Sequence, residues 1–248
     1  MNRIYVMCDN DEYADAGETL AQRLGVPCIT DRNGSGSNDM VLRYDRDGLS
    51  LMKDGMIVRA DLCSDKRRLE KNRLNAEMIV KAAGIKNLAN DPLIMDATAG
   101  LGEDSFLLAA AGFRVVMYER DAVIYELLCD GLSRASKDEQ LENITERITA
   151  IHGDSIEAMR RQDVKPDMIF LDPMFPARNK SGLIKKKFQI LQQLESPCEE
   201  GEQMLRAAFG TGAKKVIVKR PLKGECLSSE KPDYNIKGRT IRYDCYTR

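Results

Sequence analysis

Asp172-Pro173-Met174-Phe175 follows directly on the apolar run Met168-Ile169-Phe170-Leu171. Proline cannot donate to a sheet ladder, so a buried strand has to end here and present its acid at the rim. A carboxylate and a proline carbonyl on a rigid strand end can accept both N–H groups of a planar exocyclic amine. Such an amine is a poor nucleophile, because its lone pair is delocalised into the ring. Held by two acceptors, the lone pair is aimed at an incoming electrophile. Phe175 offers a face on which a base can stack. Arg178, Lys180, Lys185, Lys186 and Lys187 come next, a local run of cations suited to phosphates. These residue types in this order point to group transfer onto the amino group of a nucleic-acid base.

An electrophile needs a binding site of its own, and three other segments supply candidates. Asp96-Ala97-Thr98-Ala99-Gly100-Leu101-Gly102-Glu103-Asp104 ends an apolar run. Gly100 and Gly102 permit a tight turn and a close ligand approach, with a helix N-terminus immediately behind. Glu119, followed by Arg120, stands less than twenty residues further on, where an acid can accept hydrogen bonds from both hydroxyls of a ribose. Asp154 can accept from an adenine amino group, with Ser155 opening the next helix; the same pair also suits a helix cap. His152, the sole histidine of the chain, is expected to be structural. Together these residues predict a nucleoside cofactor.

Charge selects among such cofactors. A dinucleotide sets its pyrophosphate on the helix N-terminus, and a third glycine lets helix and strand pack closely. Here Ser105 holds the third-glycine position, and Glu103 and Asp104 place two carboxylates where phosphates would lie. S-adenosylmethionine has no phosphate and carries a sulfonium, an ammonium and one carboxylate. Acids around the loop suit its net positive charge.

The elements that must position these residues follow from periodicity. From residue 93 strands and helices alternate: strands at 93–96, 113–119, 148–152, 167–172, 214–219 and 240–246, helices at 104–111, 122–136, 155–161 and 199–209. This predicts an α/β chain with a Rossmann-like, doubly wound, mostly parallel sheet, whose ligands bind beyond the carboxyl ends of its strands. Residues 1–60 read as a small N-terminal α/β appendage. It has strands at 3–7 and 27–30, a helix at 14–24, a loop over 31–39 and a hairpin-like pair at 40–44 and 49–53. Residues 61–248 form the larger domain, with 61–90 as its helical lead-in. One basic helix is expected over 65–83, stopped by Gly84, and Arg67 and Arg68 on it are candidates for RNA contact.

The totals exclude several classes. At 248 residues and a formal net charge of −1, no global field recruits nucleic acid, so any basic site has to be local. Seven cysteines, none spaced C-x-x-C, and one histidine argue against a zinc site or a disulfide framework, and no metal is expected. The N-terminus turns acidic too early for a signal peptide, and no apolar run spans a bilayer. A cytoplasmic protein without membrane contact is expected.

"DATAGLGEDSF", "YERDAV" with "CDGLSRA", "LDPMFPARNKSGLIKKK" and "KKVIVKRP" together resemble the ribosomal RNA small subunit methyltransferase J family, over roughly residues 60 to 246. Asp-Pro-Met-Phe looks like the Asp/Asn-Pro-Pro-Tyr/Phe signature of amino-group methyltransferases, with Met174 in place of the second proline. The resemblance implies methyl transfer from S-adenosylmethionine to N2 of a guanosine in 16S rRNA, with small-subunit rRNA or the small ribosomal subunit as partner. It carries cofactor contacts onto Glu103, Asp104, Glu119, Arg120, Asp154, Ser155 and Asp172. Asp172, Pro173 and Phe175 are the catalytic candidates, and Asp96, Gly100 and Gly102 complete the cofactor loop. The competing readings are transfer to adenine N6 or to another RNA, an NAD-dependent oxidoreductase, and a non-catalytic RNA-binding ribosome-assembly factor.

Overall fold

The computed structural model describes residues 3–30, 39–64, 66–84, 91–173, 190–191, 194 and 200–248. In chain order the strands are β1 Ile4–Cys8, β2 Cys28–Ile29, β3 Met40–Asp45, β4 Gly48–Lys53, β5 Met56–Val58, β6 Leu93–Asp96, β7 Arg114–Glu119, β8 Ile148–His152, β9 Met168–Leu171, β10 Lys215–Pro221, β11 Tyr234–Lys237 and β12 Ile241–Thr247. The α-helices are α1 Ala14–Leu24, α2 Lys71–Leu74, α3 Met78–Ala83, α4 Glu103–Ala110, α5 Ala122–Ala135, α6 Glu142–Thr145, α7 Ser155–Arg161 and α8 Gly201–Gly210.

Seven strands form the larger sheet in the order β11-β12-β10-β9-β6-β7-β8. From β10 through β8 every pairing is parallel, while β12 runs antiparallel to both β10 and β11. The chain starts in the middle at β6, moves out through β7 and β8, then returns to β9 on the other side. That reversal beside β6 is the switch point at which such sheets bind ligands.

Alternation along the strands divides the core in two. Ile94, Val115, Met117, Phe170, Ile217 and Tyr243 face α3 and α4. Met95, Ile169, Leu171, Val216 and Val218 face α7 and α8. Because side chains alternate with a period of two, each strand end inherits its face from the residue two before it. Asp96 follows Ile94, Glu119 follows Met117, Asp172 follows Phe170, and Lys219 follows Ile217. All four therefore belong to the α4 side of the sheet. Period and strand length alone bring them together.

The five-stranded N-terminal sheet runs β2-β1-β3-β4-β5, with β1 parallel to β2 and β3 and the rest antiparallel. Its buried Val6, Leu42, Leu49, Leu51 and Val58 pack with Val123, Ile124 and Leu127 of α5, while Leu128 of α5 faces the larger sheet's core. Gly131 of α5 permits a close approach, since a Cβ there would lie 2.7 Å from both the Cβ and the carbonyl oxygen of Ala60.

Some elements differ from the sequence expectation. The single helix over 65–83 is instead three pieces: a 3-10 turn at Lys66–Leu69, then α2, then α3. Glu70 and Glu77 have extended backbones with ψ near 130° and break the run. Arg68 reaches over the second break to Glu77 at 2.8 Å and buried Leu74 anchors α2, so tertiary contacts outweigh helical propensity. Gly84 does close α3, its N–H donating to the Val80 carbonyl. Strands β5 and β11 and the short α6 were not anticipated. The expected 31–39 loop lies, but for Asp39, outside the described residues.

Candidate functional site

The loop between β6 and α4 is braced from below. Asp96 is buried, with one oxygen accepting from the Thr98 N–H at 2.9 Å and the other from the Ser105 hydroxyl at 2.6 Å. Burial raises its pKa to about 7, against the pull of those two donors. The serine at the third-glycine position thus has a definite task, tying the first turn of α4 to β6. Thr98 also accepts the Asp172 N–H on its hydroxyl at 2.6 Å, which fastens the loop to the end of β9.

The two glycines do different things. Gly102 has φ +81°, and a Cβ on it would come within 2.6 Å of Leu128, so its backbone and its packing both demand glycine. Gly100 has φ +54° and open space where a Cβ would point. Gly102 as N-cap brings no side chain to the first-turn amides of α4, which leaves them free for a carboxylate.

Glu119 is buried at the end of β7, and both of its oxygens are engaged. Oε2 accepts from the Gly100 N–H at 2.9 Å and Oε1 from the Asp121 N–H at 2.8 Å. Burial raises its pKa and the amide donors oppose that. An ionised carboxylate has about four lone-pair directions, so two remain for ribose hydroxyls. Glu119→Ala is expected to weaken cofactor binding by about 1.5–3 kcal/mol, roughly 10–150-fold, by calorimetry on a protein of unchanged melting behaviour. Glu119→Gln would set an amide NH2 against one of the two backbone donors, so it is not a mild change. Unaltered affinity in a folded Ala variant would remove Glu119 from the site.

Asp154 caps α7, with Oδ1 accepting from the Ile156 and Glu157 amides at 2.8 and 3.2 Å. Ser155 is buried on the first turn of that helix. Arg120 is exposed and pairs with Glu200 at 3.2 Å. Exposed His152 stacks on Tyr125 at 5.2 Å and contacts the Arg120 carbonyl at 3.1 Å through Nε2.

A group that the sequence reading did not single out lies at the centre. Lys219 Nζ stands 2.6 Å from Asp104 and 2.9 Å from Asp172, bridging the start of α4 to the end of β9. Burial alone would lower the lysine's pKa, but Asp172 and Asp104 raise it well above its ordinary value. The Asp172 side chain is still 34% exposed; burial raises its pKa while Lys219 holds it down. Buried Tyr243 pairs with Lys219 across β10–β12, and burial with the two aspartates pushes its phenol up. The sequence did carry a signal: a lysine closing the apolar run Val216-Ile217-Val218. In a buried parallel strand a charge needs a partner, and two acids wait on the same face.

Arg68 lies within the field of Glu103 and Asp104, although its main partner is Glu77. Pro173 is buried at the strand end. Met174, Phe175, Arg178, Lys180, Lys185, Lys186 and Lys187 lie outside the described residues. Among the described residues no cluster of three or more metal-binding side chains occurs, and no helix is long and apolar enough to cross a membrane.

The arrangement has acids on the ends of three adjacent parallel strands, an open glycine beside them, and free first-turn amides. That set suits a ligand with a ribose, a cationic centre and one carboxylate, and it disfavours a pyrophosphate. Comparison with known proteins agrees. A family model described as "Putative SAM-dependent methyltransferase" matches residues 21–248. The Ribosomal RNA small subunit methyltransferase J of Thioalkalivibrio sulfidiphilus is 34% identical, the match covering 98% of this chain and 97% of that one. The protein of the same name from Pseudomonas fluorescens is 36% identical over 99% of this chain and 95% of its own. A crystal structure of a SAM-dependent methyltransferase from Neisseria gonorrhoeae superposes with a TM-score of 0.76 at 28% identity, covering 98% of this chain and 95% of that one.

Proposed function

Because the chain belongs to the ribosomal RNA small subunit methyltransferase J family of S-adenosylmethionine-dependent enzymes, we propose that it methylates the exocyclic N2 of a guanosine in small-subunit (16S) ribosomal RNA. The observation that carries this reading is the Asp172 carboxylate, fixed beside the cofactor loop by its own N–H to Thr98 and by the Lys219 ammonium.

S-adenosylmethionine, when bound, supplies an electrophilic methyl group on a sulfonium. Glu119 and Asp154 would hold its nucleoside, and the first-turn amides of α4 its carboxylate. Asp172 and the Pro173 carbonyl accept the two N–H groups of the target amine, so that its lone pair points at the methyl. Methyl transfer would break the methyl–sulfur bond, leaving S-adenosylhomocysteine and an exocyclic amine that is cationic until it gives up a proton to solvent; an ionised Asp172 would stabilise that charge where it develops. Lys219 keeps the carboxylate ionised and orients it. Phe175 would stack on the base. The substrate is rRNA or the small ribosomal subunit, met in the cytoplasm, and no metal enters the chemistry.

Residues 1–60 are read as a unit mounted on α5, whose first turn directly follows Glu119 and Arg120. Transfer to adenine N6 uses the same acceptors and is the nearest alternative. Glu103 and Asp104 speak against a nicotinamide cofactor, and an acid on β9 beside a braced cofactor loop speaks against a non-catalytic assembly factor.

The test uses small-subunit particles from a strain lacking this chain, incubated with purified protein and methyl-labelled S-adenosylmethionine. One methyl per particle in the RNA is expected. Label confined to protein, or none, would sink the proposal.

A further inference from the structure

Beyond the strand end that holds Lys219, the chain builds a rim from two joined turns. Gly224 N–H closes a turn on the Pro221 carbonyl at 2.9 Å, and Gly238 N–H reaches the Ile241 carbonyl at 2.9 Å across the β11–β12 hairpin. The Leu222 N–H donates to the Thr240 carbonyl at 2.8 Å and ties the two together. Arg242 then locks the first turn, donating through Nη1 to the carbonyls of Pro221, Leu222 and Gly224 at 3.0, 3.0 and 2.7 Å. Asp244 in turn fixes the guanidinium with two bonds, at 2.8 and 3.0 Å. Gly238 seats the hairpin against α3: a Cβ there would lie 2.5 Å from the Met78 sulfur. This rim is rigid by construction.

Three of its exposed side chains are cations. Lys223 projects from the first turn, Lys237 ends β11, and Arg239 stands at the hairpin tip. None of the three has a hydrogen-bond or ion-pair partner among the described residues. The acid nearest in sequence is Glu225, also exposed. The earlier basic run is different: Lys66 pairs with Asp138, Arg68 with Glu77 and Arg73 with Glu70. Register places the rim at the reacting end of the sheet, since Lys219 pairs with Tyr243 and Pro221 with Ile241, only two residues further on.

We infer that Lys223, Lys237 and Arg239 form a phosphate-binding rim that docks the RNA backbone beside Asp172. The locked backbone leaves only side-chain freedom to be lost when these three unpaired cations meet phosphates, and each phosphate contact releases bound counterions. With a net charge of −1, RNA affinity has to come from such a local patch. The inference rests on the RNA reading of the site, but its test does not depend on methyl transfer.

The experiment measures fluorescence anisotropy of a labelled small-subunit rRNA hairpin across a potassium chloride series. The proteins are the full chain, the variant Lys223→Glu/Lys237→Glu/Arg239→Glu, and a control, Lys137→Glu/Lys165→Glu, altered near the opposite strand ends. The triple variant is expected to bind the hairpin more than tenfold more weakly at low salt. Its log–log salt slope should be smaller by about two to three units. Its S-adenosylmethionine affinity should match the unaltered protein, which also reports correct folding. A control that loses as much as the triple variant would mean that only net charge counts, and would overturn the rim. So would an unchanged slope in the triple variant, or salt-independent hairpin binding by the unaltered chain. Failure of the unaltered chain to methylate RNA, with the rim effect intact, would remove the methyltransferase assignment and leave an RNA-docking surface.

Discussion

Asp172→Ala is expected to lower methyl transfer by about 10²–10³-fold at saturating cofactor and RNA, the loss typical of one preorganised acceptor aimed at developing charge. The carboxylate is poised for that role, since its backbone N–H is pinned by Thr98 and its side chain by Lys219. Some loss of cofactor affinity is compatible with the account, because Asp172 borders the cofactor loop. Turnover under saturation separates the two effects. Asp172→Asn tests the charge directly: it retains one acceptor oxygen but cannot neutralise a cationic amine, so most of the loss should persist. Near-normal turnover in the alanine variant would reduce Asp172 to a turn residue.

Lys219→Met should have the next largest effect, about tenfold to 10²-fold in turnover, with a diagnostic pH dependence. Two carboxylates, Asp104 and Asp172, now share one ammonium. Without it they repel, and the link between the start of α4 and the end of β9 is lost. Burial already raises the Asp172 pKa, and Lys219 is the foremost group holding it down. Turnover requires ionised Asp172, so activity disappears as pH falls through that raised value. Removing the lysine raises it further and shifts the acid limb of the turnover profile to higher pH. Lys219→Arg keeps the charge and should restore the position of the limb, with turnover only partly recovered because a planar guanidinium meets the two acids differently. A variant that folds normally yet keeps both turnover and its acid limb would show that Lys219 serves packing alone.

Much of the central sheet was legible because its punctuation is chemical. Met168-Ile169-Phe170-Leu171 is apolar on both faces and stops at an Asp-Pro, β6 ends at Asp96, and Gly153-Asp154 separates β8 from α7. The sites that were not legible depend on partners distant in sequence. Strand β11, Tyr234-Asn235-Ile236-Lys237, is mostly exposed and its four residues are too short an alternation to mark it; pairing with β12 makes it a strand. The stretch over 65–83 holds no glycine or proline to mark a break before Gly84, yet its backbone turns at Glu70 and at Glu77, whose side chain meets Arg68. Lys219 belongs to the segment KKVIVKRP, but its role appears only when β10 is laid beside β9 and the alternation of side chains is followed to the strand ends. Glu119 and Asp154 show the reverse lesson. Residue type pointed to ligand contact, while the structure adds the backbone amides that both already hold.

The most direct test of the central claim is the identity of the methylated nucleoside. Small-subunit RNA labelled by the purified protein would be digested completely and its nucleosides separated by chromatography with mass detection. One labelled product, N2-methylguanosine, is expected, absent when the Asp172→Ala variant is used for the same short incubation. Label recovered as N6-methyladenosine would contradict it, because the acceptor geometry at Asp172 and Pro173 would then serve a different base.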